Sequence, residues 1–210
     1  PYMRRYEAAD DFGKPETAFN ICTFWRIDAL ARIGRKQEAR AIFETMLAAR
    51  NPLGLLSEAG APAVADPGAA LVACAHGEGF RVAPHVGPSS ILLALMASGL
   101  EGQRFRFAGY LPVAGPARQA ALRELEARSA SAGETQVFIE TPYRNDAMLA
   151  DILAACRPDT RLAVAAELTG TGESVRMASL AQWRASPAPP GKRPAIFLML
   201  AAKAPRKRQG

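Results

Sequence analysis

The chain has 210 residues, of which 26 are Lys or Arg and 20 are Asp or Glu, so its formal net charge is +6. Hydrophobic residues make up 49% and charged residues 22%, which is an ordinary globular composition with enough apolar material to bury a core. No run approaches the roughly 18 apolar residues that a membrane span needs. The three cysteines have no motif spacing, which argues against a disulfide framework. We therefore expect a cytoplasmic protein without membrane association.

The basic excess is concentrated at the end of the chain, where Lys203, Arg206, Lys207 and Arg208 lie close together. A basic tail over residues 204–210 can hold phosphates through counterion release. A solvated, disordered end is the simpler interpretation. The net charge is therefore no evidence for a nucleic-acid-binding face.

Residues 16–50 have the apolar spacing of two helices joined at Gly34. Beyond Gly34 the apolar residues follow the i, i+3, i+4, i+7, i+8 spacing of a buried stripe, namely Ala39, Ile42, Phe43, Met46 and Leu47. Asn51 and Pro52 end the second helix. The pattern predicts an antiparallel helical hairpin.

After residue 53 short apolar runs alternate with amphipathic stretches. The predicted strands are residues 53–56, 80–84, 105–110, 136–140, 161–167 and 195–201, and the predicted helices are residues 68–79, 89–99, 116–130, 145–156 and 179–184. Residues 186–191 are a Pro-rich connector. Strands separated by helices of this length predict an α/β layered domain.

Four loops rich in Gly or polar residues lie between these predicted elements: residues 57–62 with Asp66, residues 86–90, residues 140–144 and residues 167–173. Each is expected to follow a strand. Since ligands of open α/β sheets gather at the carboxyl ends of strands, their recurrence predicts a cleft. A tight turn capped by Asp66 is an equally good interpretation of the first loop.

Several motifs of other enzyme classes are absent. The chain has no P-loop, no dinucleotide-binding G-x-G-x-x-G and no G-x-S-x-G, which argues against those enzymes. His76 and His85 have no partner at zinc spacing, so we expect no metal site. Cys22, Cys74 and Cys156 lie in apolar helical contexts and are predicted to be core residues.

Taken in order, five motifs resemble the tetrapyrrole methylase family, and within it the 16S ribosomal RNA (cytidine-2′-O)-methyltransferases. They are Leu55–Gly68 (family S-D-A-G-x-P-x-x-x-D-P-G), Gly87-Pro88-Ser89, Gly109-Tyr110-Leu111-Pro112, Glu140–Arg144 and Glu167-Leu168-Thr169 with Glu173. Glu58 and Ala61 stand where this family has Asp and Thr. The similarity covers about residues 53–202.

This resemblance implies S-adenosylmethionine binding between two α/β domains. The implied cofactor-binding residues are Ser57, Glu58, Ala59, Gly60, Ala61, Pro62, Gly87, Pro88, Ser89, Ser90, Glu167, Leu168 and Thr169. It also implies substrate binding by Asp66, Tyr110 and Arg144. A ribose hydroxyl needs help to lose its proton, and Glu58, Glu140 and Glu173 are alternative candidates for that catalytic role. Ala166 and Gly170 replace basic residues of the family, which weakens the case for a ribosomal RNA substrate.

The first 57 residues instead resemble the C-terminal part of glucoamylase-like glycoside hydrolases. The resemblance rests on residues 10–13, 18–25, 28–31 and 50–58, and it implies that Glu58 matches a general base. The two resemblances meet at residues 54–58, so we expect a chimera. Inverting hydrolysis needs two carboxylates about 6.5–9.5 Å apart, and most of that barrel is missing, so a glucosidase is the least favoured function.

The expected organisation is a helical segment over residues 1–52, a remnant of the methylase N-terminal domain over 53–86 and a complete C-terminal α/β domain over 87–203. The leading hypothesis is a methyltransferase impaired by its truncated N-terminal domain. The alternative is a non-catalytic, dimerising fragment, because missing strands leave a sheet edge open to pairing. That alternative predicts a homodimer.

Overall fold

The computed structural model describes residues 20–48, 54–57 and 60–202. The chain divides into two compact units, residues 1–87 and 88–210. The helix expected at residues 16–19, the end of the second helix at Asn51 and the basic tail lie outside the described residues. No helix in the described part of the chain combines the length and apolar content that a membrane crossing requires.

The first unit contains the predicted helical hairpin. α1 (Asn20–Arg32) and α2 (Lys36–Ala48) pack against each other, and Gly34 makes the turn at φ +85°, which a residue with a Cβ seldom adopts. The buried stripe is confirmed, since its described members Ala39, Ile42, Phe43 and Met46 are all buried. Ile33, the residue after α1, is 67% exposed and does not belong to this core.

α3 (Ala69–Gly77) confirms the helix predicted over residues 68–79. Its Leu71 and Cys74 pack against Phe43 and Met46 of α2. The strands predicted at 53–56 and 80–84 are wrong, because residues 54–57 and 80–84 form no strand. An apolar run becomes a strand only with a hydrogen-bonded neighbour, and the described part of this unit contains no strand that could pair with either run.

The second unit is built on a five-stranded sheet of order β1-β2-β5-β3-β4. The strands are β1 (Phe105–Tyr110), β2 (Thr135–Ile139), β3 (Arg161–Ala166), β4 (Ser174–Ser179) and β5 (Ala195–Leu200). β1 and β2 are parallel, whereas β5 is antiparallel to both β2 and β3, and β4 is antiparallel to β3. Four of these strands were predicted, and β4 was not.

The predicted helices of this unit are confirmed, with ends that differ by one or two residues. They are α4 (Ser90–Ser98), α5 (Gly115–Ala132), α6 (Asn145–Ala155) and α7 (Leu180–Ala185), with a short 3₁₀ turn at Pro142–Arg144. α4 and α5 end at Gly99 and Gly133 in the left-handed region, as helices commonly do. At α7 the Ser179 side chain accepts a bond from the Gln182 amide, and Gln182 reciprocates, forming a capping box.

The sheet is covered on both faces, which confirms the α/β class. Ile91, Ala94 and Leu95 of α4 pack on one face, and α5, α6 and α7 pack on the other. All six residues of β5 are buried, as expected of a strand covered on both faces. Phe138 of β2 and Phe197 of β5 stack with ring centroids 5.7 Å apart.

Cys156 is a core residue, as predicted, and lies among the side chains under α5 and α6. Burial raises the pKa of its thiol to about 12, so the thiol stays protonated and unreactive at neutral pH. Cys74 is half-buried and also free. The side chain of Cys22 lies outside the described residues.

One buried ion pair joins α5 to α6. Arg118 Nε donates to Asp151 Oδ2 at 2.6 Å, and Gln119 Nε2 donates to Asp151 Oδ1 at 2.7 Å. The side chains of Arg118 and Asp151 are only 7% and 14% exposed. Removing either partner would therefore leave a charge with little access to water.

We predict that Asp151→Ala lowers the free energy of unfolding by about 3 kcal/mol, since it leaves the Arg118 guanidinium buried without its carboxylate. Urea unfolding followed by circular dichroism measures this loss. Glu124→Ala is the matched control, because it removes an exposed carboxylate from α5 and should change stability by less than about 0.5 kcal/mol. Equal losses of unfolding free energy in Asp151→Ala and Glu124→Ala would show that the ion pair with Arg118 is not the cause.

Candidate functional site at the carboxyl end of the sheet

The strand directions of the second unit bring several predicted site residues to one end of its sheet. β1, β2 and β3 all finish there, and β4 and β5 begin there, as the pairs Tyr110–Ile139, Ile139–Ile196 and Ala166–Ser174 show. We call this the carboxyl end of the sheet. The loops after β2 and β3 are two of the four predicted to line a cleft, and Tyr110, a predicted substrate residue, ends β1.

Glu140 follows β2 directly and is held by the turn that comes after it. Its Oε1 accepts from the Thr141 amide at 2.6 Å and from Arg144 Nε and Nη2 at 2.9 and 2.7 Å. The Glu140 side chain is completely buried, and that of Arg144 is 25% exposed. Glu140 and Arg144, predicted to serve separate roles, therefore form one ion pair.

Burial of the Glu140 carboxyl favours its neutral form, but the hydrogen bonds from Arg144 and Thr141 outweigh burial, so its pKa lies below its usual value. Glu140 is therefore ionised at neutral pH and a weak proton acceptor. Its second oxygen, Oε2, is buried without a hydrogen-bond partner, as is Asn145 Oδ1. Unpaired buried polar atoms are costly and mark this turn as a place where a polar group could bind.

Two tyrosines border this ion pair. Tyr110 ends β1 and is 60% exposed, and Tyr143 in the 3₁₀ turn is 69% exposed. The Arg144 guanidinium carbon lies 5.2 Å from the centroid of the Tyr143 ring, within cation–π range. The hydrogen bond to the Glu140 carboxylate raises the pKa of Arg144. Tyr110 pairs with Ile139, the residue before Glu140, so the predicted substrate residues Tyr110 and Arg144 lie at the same end of the sheet.

The loop after β3 contains the other predicted site residues of this unit. Glu167 and Thr169 adopt left-handed backbone, with φ of +50° and +67°. The Thr169 amide donates to Glu173 Oε2 at 2.7 Å, and the Gly170 amide donates to the Glu167 carbonyl at 2.8 Å. Glu173, a catalytic candidate, therefore closes the loop, while Leu168 packs on the α4 face of the sheet.

Arg193 supports this loop from the segment before β5, and the sequence did not single it out. Its Nη1 donates to the Gly172 carbonyl and to Ser174 Oγ, both at 3.3 Å, and lies 4.0 Å from Glu167 Oε2. Asn145 Nδ2 in turn donates to the Arg193 carbonyl at 2.7 Å. Its sequence signal is a cation two residues before an apolar strand, and the meaning of that signal depends on the direction of β5.

The first unit contains the segment with the strongest motif resemblance. Ser57 Oγ donates to Asp66 Oδ2, so a predicted cofactor residue and a predicted substrate residue are in contact. Gly60 has φ +79°, and Ala61 and Pro62 follow in a turn that the Val64 amide closes on the Ala61 carbonyl at 3.2 Å. Glu58 and Ala59 lie outside the described residues.

The segment 86–90 was expected to follow a strand, and this is wrong, because residues 80–89 have no regular secondary structure. Ser89 is the N-cap of α4, but its side chain makes no capping bond. Gly87, which ends the first unit, is exposed, whereas Pro88 and Ser90 belong to the second unit. Ser89 and Ser90 thus lie at the start of α4, where the Ser89 side chain does not cap the first backbone amides.

Comparison with known proteins decides the family. A family model described as Tetrapyrrole (Corrin/Porphyrin) Methylases matches residues 6–183. The chain belongs to the tetrapyrrole methylase family. The match spans residues 6–57, which were expected to lie outside this family, as well as the motifs that carry the resemblance.

This tetrapyrrole methylase is also similar to curated proteins. It is 34% identical over 170 residues to Ribosomal RNA small subunit methyltransferase I of Vibrio cholerae, covering 81% of this chain and 57% of that protein. It is 41% identical over 128 residues to the protein of the same name from Mesorhizobium japonicum, covering 61% of this chain and 42% of that protein. The chain thus spans about half the length of these relatives.

Among solved structures, the methyltransferase CobJ matches this tetrapyrrole methylase with a TM-score of 0.50 and 17% sequence identity. The match covers 81% of this chain and 72% of CobJ. At this identity the likeness concerns the fold, and it agrees with the mixed α/β architecture.

We predict that Arg144→Leu destabilises the chain by about 2 kcal/mol near neutral pH, because the buried Glu140 carboxylate loses two charge-assisted bonds. In the wild type the lowered pKa of Glu140 stabilises the fold above the pKa of the unfolded chain, and this contribution is lost as pH falls through the lowered value. The difference between variant and wild type should therefore shrink below about pH 4.

Urea unfolding at several pH values measures this difference. Arg123→Leu, which removes an exposed cation from α5, is the control and should cost less than about 0.5 kcal/mol at every pH. A loss in Arg144→Leu that does not depend on pH would mean that the Glu140 carboxylate is not its cause.

Proposed function

We propose that this chain is an S-adenosylmethionine-dependent methyltransferase that acts on a ribose 2′-hydroxyl of small-subunit ribosomal RNA. The observation that carries the proposal is its 34% identity to a ribosomal RNA small subunit methyltransferase over 81% of the chain. The family match over residues 6–183 supports the reaction type. Because the chain spans 57% of that relative, its own activity has to be measured.

The residues proposed to hold the cofactor suit a nucleoside ligand within each unit. A Cβ built on Gly60 or Gly87 would meet no atom within 4 Å, so the backbone there is open to a ligand. In the loop after β3, the left-handed Glu167 and Thr169 turn the backbone sharply around Leu168. When bound, S-adenosylmethionine supplies an activated methyl group, so that positioning can provide much of the rate acceleration.

The carboxylates proposed for proton transfer differ in what they contact. Glu140 Oε1 accepts hydrogen bonds from the Thr141 amide and the Arg144 guanidinium. Because its pKa is lowered, Glu140 is better suited to holding the turn than to accepting a proton. Glu173 accepts from the Thr169 amide, which suits it to shaping the loop. Glu58 remains a candidate for the catalytic base on the family resemblance alone.

An RNA substrate is proposed from the names of the relatives. The family's basic residues are replaced by Ala166 and Gly170, but the Arg193 guanidinium lies beside the same loop, 4.0 Å from Glu167 and 39% exposed. A cation is therefore present at the carboxyl end of the sheet, although it comes from the segment before β5. This arrangement supports an anionic substrate.

Calorimetric titration with S-adenosylmethionine, followed by methyl transfer to small-subunit ribosomal RNA, tests the proposal. We expect saturable binding of one cofactor per site and incorporation of radiolabelled methyl groups at a ribose 2′-oxygen. No binding of either S-adenosylmethionine or its demethylated product would overturn the proposal. Binding of S-adenosylmethionine without methyl transfer to this RNA would support the proposed cofactor and rule out small-subunit ribosomal RNA as the substrate.

Gly172→Ala is the variant that probes the loop after β3. A Cβ at Gly172 would lie 2.2 Å from Glu167 Oε2, so the Glu167 carboxylate has to move while the fold persists. We expect cofactor affinity to fall about tenfold with little loss of stability. Gly102→Ala is the control, since a Cβ there meets no atom within 4 Å. If Gly172→Ala binds S-adenosylmethionine as tightly as the wild type does, Glu167 does not belong to the proposed cofactor site.

We also propose a homodimer located in the cytoplasm. β1 and β4 are the outer strands of the sheet order, and outer strands carry unpaired backbone groups that favour association. Light scattering should give about twice the mass of the chain, 22.4 kDa. A monomer at all concentrations would reject the dimer.

The division into residues 1–52, 53–86 and 87–203 and the chimera with a glucoamylase-like protein stay predictions. The reading frame upstream of Pro1 is the observation that decides between them and a continuous methylase. A glucoamylase-like extension would support the chimera, and a methylase N-terminal strand would reject it.

A further inference from the structure

The carboxyl end of the sheet presents two aromatic rings to solvent. Tyr143 is 69% and Tyr110 is 60% exposed. Tyr143 lies four residues after β2, whose first four residues are buried, and Tyr110 ends β1, whose central residues are half-buried. Tyrosine rings are costly to leave in water, since each has a large apolar face. The exposed rings of Tyr143 and Tyr110, at the end of the sheet where substrate binding is predicted, therefore suggest that a planar group of the substrate covers them.

The Tyr143 ring and the Arg144 guanidinium are held in place by contacts within the turn. Arg144 lies over the Tyr143 ring at 5.2 Å, and its Nε and Nη2 are fixed on Glu140 Oε1 at 2.9 and 2.7 Å. Glu140 is itself anchored by the Thr141 amide at 2.6 Å, and Pro142 begins the turn that carries Tyr143. A site ordered in advance loses less entropy when a ligand binds.

The charge balance indicates which part of a nucleic acid would bind here. The Glu140 carboxylate neutralises the Arg144 guanidinium, so this arginine has little charge left for a phosphate. What remains available is the planar surface of the tyrosine rings and of the guanidinium. Aromatic and guanidinium planes stack on unpaired bases, and such stacking tolerates different base identities.

We propose that Tyr143, Arg144 and Tyr110 form a stacking site for an unpaired base of single-stranded RNA. This inference rests on the proposed function, because it names how the RNA substrate is held. The site positions the strand by stacking on a base and does not itself bind the phosphate backbone. It therefore recognises strand geometry rather than base sequence.

Titration of the full chain with a short single-stranded RNA that carries one 2-aminopurine tests the site, because stacking on an aromatic ring quenches the fluorescence of this base. We expect quenching by the wild type. Tyr143→Ala should abolish most of the quenching and weaken binding about tenfold, the order seen when one stacking side chain is removed. Tyr143→Phe, which keeps the ring, should retain both.

Phe105→Ala is the matched control, because Phe105 is a 40% exposed aromatic residue at the opposite end of β1. It should leave RNA affinity and quenching unchanged. S-adenosylmethionine affinity, measured on every variant, shows that each one is folded.

The possible results distinguish failure of the stacking site from failure of the proposed function. If the wild type binds and methylates RNA but Tyr143→Ala binds equally well, the stacking site is wrong and the proposed function stands. If the wild type binds S-adenosylmethionine but no RNA, both the RNA substrate and the stacking site are rejected. Loss of affinity in Tyr143→Phe as large as in Tyr143→Ala would assign the effect to the hydroxyl and overturn stacking.

Discussion

The antiparallel placement of β5 between β2 and β3 is the constraint on which the arrangement of the second unit depends. Because β5 runs against both neighbours, β2 and β3 must run in the same direction, and their following residues meet at one end of the sheet. Glu140 and Glu167 are brought to that end by this geometry alone. The six buried residues of β5 make any other strand position costly, since apolar burial is the main driving force of folding.

The carboxyl end of the sheet contrasts with the core beneath it. In the core, side chains such as Phe138 and Phe197 stack closely, whereas a few residues further on Glu140 Oε2 and Asn145 Oδ1 are buried without partners. A fold selected for stability alone would replace such atoms, because each unpaired polar group costs free energy. Two of the three such atoms in the described residues lie in or next to the turn after β2, and the third, Gln136 Oε1, lies near the start of that strand.

Local patterns were sufficient to predict most elements, and tertiary contacts explain the failures. The helices from α4 to α7 and four strands follow from periodicity and glycine positions. β4 was missed because Arg176 interrupts its apolar pattern, and only the fold shows that this guanidinium lies 4.1 Å from the Trp183 ring centroid. At the site, motif resemblance found Glu140 and Arg144 as individual residues. Their pairing depends on a turn geometry that spacing does not encode.

The connector before β5 shows how far a local description falls short. Sequence composition makes residues 186–191 a Pro-rich link, yet Asn145 Nδ2 donates to the Gly191 and Arg193 carbonyls at 3.1 and 2.7 Å, and Arg193 reaches the loop after β3. Arg144, which orders the proposed stacking site, immediately precedes Asn145. The turn of the proposed base site is thus linked to the proposed cofactor loop through Asn145, the Arg193 backbone and the Arg193 side chain. Such shared support suits a transfer reaction, in which donor and acceptor must be held in fixed register.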